Sequence, residues 1–199
     1  SGASHHGRGP LTTASLARRS AGVSSSVLGM LLFIGAEVMF FAGLLSAFTI
    51  SRAGTPSGTW SLPADRLLPA GATAFNTVAL LASGALVFLT HRRLRRGLPA
   101  ARTLLVASGL GALFVVLQGR EWAGLLSQGV TMQSSRLGAF FYLIMGTHAV
   151  HAVGAIVGMA MAWWHLRRNT LTDEFWLGAS TFWYFVVAIW PILYGRVYF

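Results

Sequence analysis

The sequence predicts an all-α integral membrane bundle of five transmembrane helices, with the N-terminus cytoplasmic and the C-terminus outside. Three observations carry this. Of the 199 residues, 54% are hydrophobic and only 10% charged, whereas a soluble domain needs about 25% charged residues to clothe its surface. The apolar residues fall into five runs near the ~20 residues that cross ~30 Å of hydrocarbon. All fifteen basic residues are Arg, and nearly all lie between those runs rather than inside them.

Residues 1–26 are rich in Gly, Ser and Ala, and carry Arg8, Arg18 and Arg19. Such a segment buries too little surface to offset its ordering entropy, so it reads as a flexible cytoplasmic tail. His5 and His6 are adjacent there, and their pairing in a mobile tail is more simply incidental than metal-binding. The apolar run beyond Arg19 is too long for a cleavable signal peptide.

The transmembrane domain then spans residues 27–199. Its predicted helices cover about 27–50, 68–90, 103–126, 137–164 and 175–198. Backbone groups in lipid must satisfy one another, which leaves helices or closed barrels, and these runs lack the polar–apolar alternation of a barrel strand. The connector 51–68, with Gly54, Pro56, Gly58 and Pro63, is built from turn residues.

Charge sets the orientation. The tail, the connection after the second run (Arg92, Arg93, Arg95, Arg96, Arg102) and the turn after the fourth (Arg167, Arg168) hold ten arginines. The opposite side holds four: Arg52, Arg66, Arg136 and Arg196. The arginine-rich side is therefore expected in the cytoplasm. The net charge of +10 thus reads as topology signals, not as a nucleic-acid surface. Arg92, Arg93, Arg95 and Arg96 form the densest group and are expected to hold anionic lipid headgroups, so bound phospholipid is expected.

Aromatic residues fit this frame. Trp60, Trp122, Trp163, Trp164 and Trp176 fall near span ends, where an indole keeps its N–H wet. Trp176, Trp183 and Trp190 recur every seven residues and share one helical face, a packing seam or lipid contact.

Ionisable groups at bilayer depth are costly and mark function by default. Glu37 lies about 15 Å into the first span at 1.5 Å per residue. His148 and His151 lie at similar depth in the fourth, about 60° apart on one face. The three are expected to form an intramembrane polar network, with Glu37 hydrogen-bonded to a histidine. Gly35, Ala36, Gly43, Gly146, Gly154 and Gly158 would let helices close around it. One-sided heme ligation, or copper held with Met145, is an alternative use of the histidines. A bis-histidine heme lacks its second partner, since His91 and His165 sit at span ends.

A second polar cluster is expected near the outer end of the third span. Gln118 and Glu121 are three apart on one face, beside Trp122. Neutralisation of Glu121 by Arg120 is the simpler alternative. There is no Cys, so disulfides and thiolate ligands for zinc, dinuclear copper or iron–sulfur centres are excluded. No catalytic set and no metal site emerge.

Five stretches carry a family resemblance. "LGMLLFIGAEVMFFAGLLSAF", with Glu37, is similar to the first conserved helix of cytochrome c oxidase subunit III and its quinol-oxidase and nitric-oxide-reductase-associated relatives. "WSLPADRLLPAGATAFNTVALLASG" resembles the family's entry to the next span, matching Asn76, Thr77 and Ser83. "LQGREW" resembles its Gln-x-x-Glu-Trp motif, and "FFYLIMGTHAVHAVGA" its Gly-x-His-x-x-His-x-x-Gly, with His148, His151 and Gly154. The fifth, "FWYFVVAIW", departs from it: Tyr184 and Val187 stand where many members have His and Asp, and Pro191 is expected to kink or interrupt the last span. The resemblance runs from about Leu28 to Phe199 in order.

This resemblance implies a five-span subunit III of a heme–copper respiratory oxidase in a bacterial inner membrane. It implies direct packing beside subunit I, with subunit II and other respiratory-complex subunits as further partners. It also implies no heme or copper in this chain, lipid held in a cleft, and support of proton uptake. The electron donor, cytochrome c or a quinol, lies beyond what the residues say. The competing function is an autonomous proton channel or transporter using Glu37, His148 and His151.

Overall fold

The computed structural model describes residues 25–55, 70–129, 131–133 and 135–198. The N-terminal tail with His5 and His6, most of the 51–68 connector, Trp60 and Arg66 lie outside the described residues. Five helices make up the rest: α1 (Ser25–Ala53), α2 (Ala70–Arg95), α3 (Ala101–Ser127), α4 (Arg136–Arg167) and α5 (Asp173–Val197). All five are long and apolar enough to cross a membrane.

Each helix outlasts its predicted span. The largest extension is in α2, which continues through Arg95 before Arg96 and Gly97 turn the chain. Arg92, Arg93 and Arg95 therefore occupy the last turn of a helix rather than a loop. Arginine is a good helix former, and cations are favoured beside the negative end of the helix dipole. Gly97 takes the left-handed φ of 65° that closes this turn, a conformation open to glycine at no steric cost. At the other end, Ser135 caps α4 by accepting from Gly138 N at 2.9 Å. Thr172 caps α5, with Asp173 and Glu174 in its first turn, where the dipole favours anions.

The bundle is built around α5. It packs against α1, α2 and α4, while α3 is sandwiched between α2 and α4. The tryptophan stripe faces inward, so of its two readings the packing seam holds. Trp176, Trp183 and Trp190 are all buried. Trp176 donates Nε1–H to His91 Nδ1 at 3.0 Å. Trp190 donates to Thr77 Oγ1 at 2.9 Å, and its ring meets Phe114 edge-on at 4.8 Å. Trp183 lies over Gly111 of α3. A Cβ at Gly111 would come within 2.7 Å of Trp183 Cζ2 and nearer still to Cη2, so only glycine admits the ring.

Close approach is thus bought at α3 and α2, where Gly84 sits against Val187 Cγ1, rather than at the glycines expected. A Cβ built at Gly35, Gly43 or Gly146 would meet no atom of another segment within 4 Å, and one built at Gly154 or Gly158 would make only ordinary contact with Phe182 or Ala179. The predicted interruption at Pro191 does not occur: α5 runs through it. Transmembrane helices tolerate proline where neighbouring groups re-satisfy the freed carbonyl. Helix α1 stands apart. Among the described helices it touches only α4 and α5, and Leu32, Met39 and Ile50 are each about 70% exposed.

Candidate functional site

Two carboxylates lie within the spans, and the structure treats them differently. Glu37 projects from α1 toward α4, where its Oε2 lies 2.9 Å from His151 Nε2. The side chains retain 19% and 16% exposure respectively. The other ring nitrogen, His151 Nδ1, is 2.8 Å from Thr147 O in the preceding turn. A backbone carbonyl can only accept, so Nδ1 carries a hydrogen. A neutral imidazole then presents Nε2 as an acceptor, and a bare carboxylate cannot bond to it. One proton must therefore lie between Oε2 and Nε2, on the carboxyl or on the imidazole. The pair is a holder of one shared proton, electrically neutral overall, which suits a low-dielectric setting.

Phe41 frames this contact. Its ring, fully buried, meets His151 edge-on at 5.4 Å and His148 at 6.5 Å. Sequence reasoning placed His148 in the same network, but the structure does not bring it to Glu37. His148 turns instead between α3 and α5, is 1% exposed, and lies against Trp190 at 5.0 Å between ring centres. Neither of its nitrogens has a partner among the described residues. A spacing of three residues rotates the two rings about 60° apart, enough here for only His151 to meet Glu37.

The second carboxylate is enclosed. Glu121 accepts from Thr73 Oγ1 at 2.7 Å, Asn76 Nδ2 at 2.8 Å and Gln118 Nε2 at 3.1 Å. Gln118 Nε2 also lies 3.3 Å from the Tyr198 hydroxyl. The cluster thus unites α2, α3 and the residue after α5. These donors are all neutral. Arg120 is exposed and, among the described residues, makes no ion pair with Glu121. Trp122 stays out of the network: its ring packs edge-on against Phe141 at 6.4 Å, and its Nε1 is buried without a partner among the described residues. Thr73 and Asn76 were missed as members. Their signal was legible, since two polar residues three apart in an apolar run share a helical face.

At the arginine-rich end, His91, Arg95, Leu166, Asn169, Asp173 and Trp176 line a groove of about 610 Å³. Arg92 and Arg96 are exposed nearby, and Arg92 lies over the Phe88 ring at 5.9 Å. Arg93 donates to Pro99 O at 3.2 Å, which ties down the turn. Among the described residues, no three His, Cys, Asp or Glu side chains gather in one place.

The family model for cytochrome c oxidase subunit III matches residues 16–199. The cytochrome c oxidase subunit 3 of Corynebacterium diphtheriae is 31% identical over 180 residues, covering 86% of each chain. A probable cytochrome c oxidase subunit 3 from Nocardia farcinica is 26% identical over 184 residues, with the same coverage. The cytochrome c oxidase subunit 3 of the fish Gadus morhua is 32% identical, covering 85% of this chain and 67% of its own. With a family-model match over residues 16–199 and a 31% identical relative covered to 86%, the chain belongs to the cytochrome c oxidase subunit III family.

Proposed function

We propose that this chain is the non-catalytic third core subunit of a heme–copper terminal oxidase in a bacterial cytoplasmic membrane. In this reading it stabilises subunit I, holds phospholipid, carries no heme or copper itself, and supports proton uptake during electron transfer to oxygen. Family membership supports the assignment. The observation that carries the proton role is the Glu37–His151 contact at 2.9 Å, a site that stores one proton inside the bilayer. It lies on α1, the helix least covered by the rest of the chain, where a partner subunit has access.

Glu37→Gln is the discriminating variant. A glutamine amide donates to neutral His151 Nε2 without carrying a transferable proton, so the helix contact survives and the shared proton does not. The oxidase should assemble with normal subunit content yet lose activity over repeated turnovers, measured as oxygen consumption against cycle number. Unchanged durability would remove the proton role; failure to assemble would make the pair purely structural.

The autonomous channel alternative requires a polar file across the bundle. His148 has no hydrogen-bond partner among the described residues, so the described side chains do not join it to the Glu37–His151 pair. Proton flux in liposomes containing this chain alone would revive the channel. For lipid, the arginine-rich groove is the expected headgroup site, each near-surface charge contributing about 1 kcal/mol. Retention of phospholipid through purification should fall when Arg92, Arg95 and Arg96 are neutralised together, and insensitivity to anionic lipid content would contradict it.

A further inference from the structure

Between α3, α4 and α5 lies a cavity of about 90 Å³, lined by Phe114, Gln118, Trp122, Met145, His148 and Trp190 among others. Three of these residues bring buried polar atoms with no partner among the described residues: Gln118 Oε1, Trp122 Nε1 and both nitrogens of His148. His148 is 1% and Gln118 4% exposed. Leaving such atoms unpaired costs about 1–3 kcal/mol each, so their gathering on one cavity calls for a ligand.

We infer that this cavity binds a small cluster of ordered water molecules. The inventory of hydrogen-bonding groups matches water and little else. The Trp122 N–H can only donate, and Gln118 Oε1 can only accept. Gln118 has no freedom to reverse its amide, because Nε2 is committed to the Glu121 carboxylate at 3.1 Å, which accepts only. A neutral His148 adds one donor and one acceptor. The site thus offers two donors and two acceptors, the complement of a molecule that itself has two of each. A cation is refused by the indole N–H, and an anion by the Gln118 oxygen. The volume of about 90 Å³ has room for more than one water, and a buried water needs two to four polar partners. An aliphatic tail would fill the space but leave all four atoms unpaired.

Occupied in this way, the cavity extends the Glu121 cluster inward. A continuous hydrogen-bonded chain runs from Thr73 and Asn76 through Glu121 and Gln118 to water and then to His148 in the middle of α4. It explains how a histidine sits there without reaching Glu37.

The test uses the assembled oxidase in lipid. A density map fine enough to show ordered solvent should place water at hydrogen-bond distance, about 2.7–3.2 Å, from His148, Gln118 Oε1 and Trp122 Nε1. Water-edited solid-state NMR with ¹⁵N-labelled protein should show magnetisation passing from water to the His148 and Trp122 N–H groups. Ala149→Leu, which puts a larger side chain into the cavity wall, should abolish that transfer. Density of an acyl chain in the cavity, or an unfilled cavity with no transfer in the wild type, would overturn the inference. Transfer that persists undiminished in Ala149→Leu would overturn it too. The wild-type measurements decide the matter even if the variant fails to assemble.

Discussion

Glu37 and Glu121 are the two intramembrane carboxylates of one small bundle, and they solve the same problem in opposite ways. Glu121 is wrapped by hydroxyl, amide and amide donors from two helices, with Tyr198 one bond further out. Each donor is neutral, and together they bind the carboxyl group to α2 and α3. Among the described residues Glu37 has a single partner, the His151 imidazole. The first arrangement ties two helices through several bonds; the second joins two helices through one.

Substitutions can break this contrast. The largest effect is expected for Glu121→Ala, which strips Thr73, Asn76 and Gln118 of the carboxylate they share. Intramembrane hydrogen bonds average below 1 kcal/mol each, but unpaired buried donors cost more, so a loss of about 3 kcal/mol is expected. Thermal unfolding of the purified oxidase in mild detergent should show early release of this subunit. A change within the spread of surface variants would mean the cluster is not structural. Next comes Gly111→Val, which forces Trp183 off α3 at a cost of about 2 kcal/mol, as overpacking usually does. Tryptophan fluorescence should shift with it, and an unshifted spectrum at wild-type stability would contradict the packing described. Glu37→Ala should cost only about 1 kcal/mol, since it breaks one contact on a helix with few others. Limited proteolysis at the α1 end is a suitable readout, and a cost matching Glu121→Ala would erase the distinction between the two sites. Glu37→Gln should be gentler still, within about 0.5 kcal/mol of wild type, because the amide keeps the contact with neutral His151. That small stability change, set beside lost durability in turnover, would separate chemistry from architecture most sharply.

Several of these features were legible without coordinates. Glu37, His148 and His151 stand out because ionisable groups are rare in apolar runs, and depth counting alone puts them at one level. Gln118 and Glu121 stand out by their spacing. What could not be read was which partner each would take. Thr73 and Asn76 come from a helix some 45 residues away in sequence, and no local pattern links them to Glu121. The glycines were misjudged for a related reason. A small residue permits close approach, but only the neighbouring side chain uses it, and the bulky indole of Trp183 chose Gly111. Val187, at the place of an expected acid, likewise found its use in packing against Gly84.

Composition and the length of the apolar runs sufficed for five helices and the membrane setting, because the need to bury backbone in lipid acts on every residue of a span alike; the family resemblance came from specific motifs. Periodicity also put the tryptophans on one face. Only the tertiary structure decided that this face is the core, that α1 stands at the margin, and that two histidines three residues apart go separate ways. Those outcomes depend on the rotation of each helix about its axis. That rotation is settled by side-chain packing between distant segments, where a few tens of degrees decide whether an imidazole meets a carboxylate or a cavity.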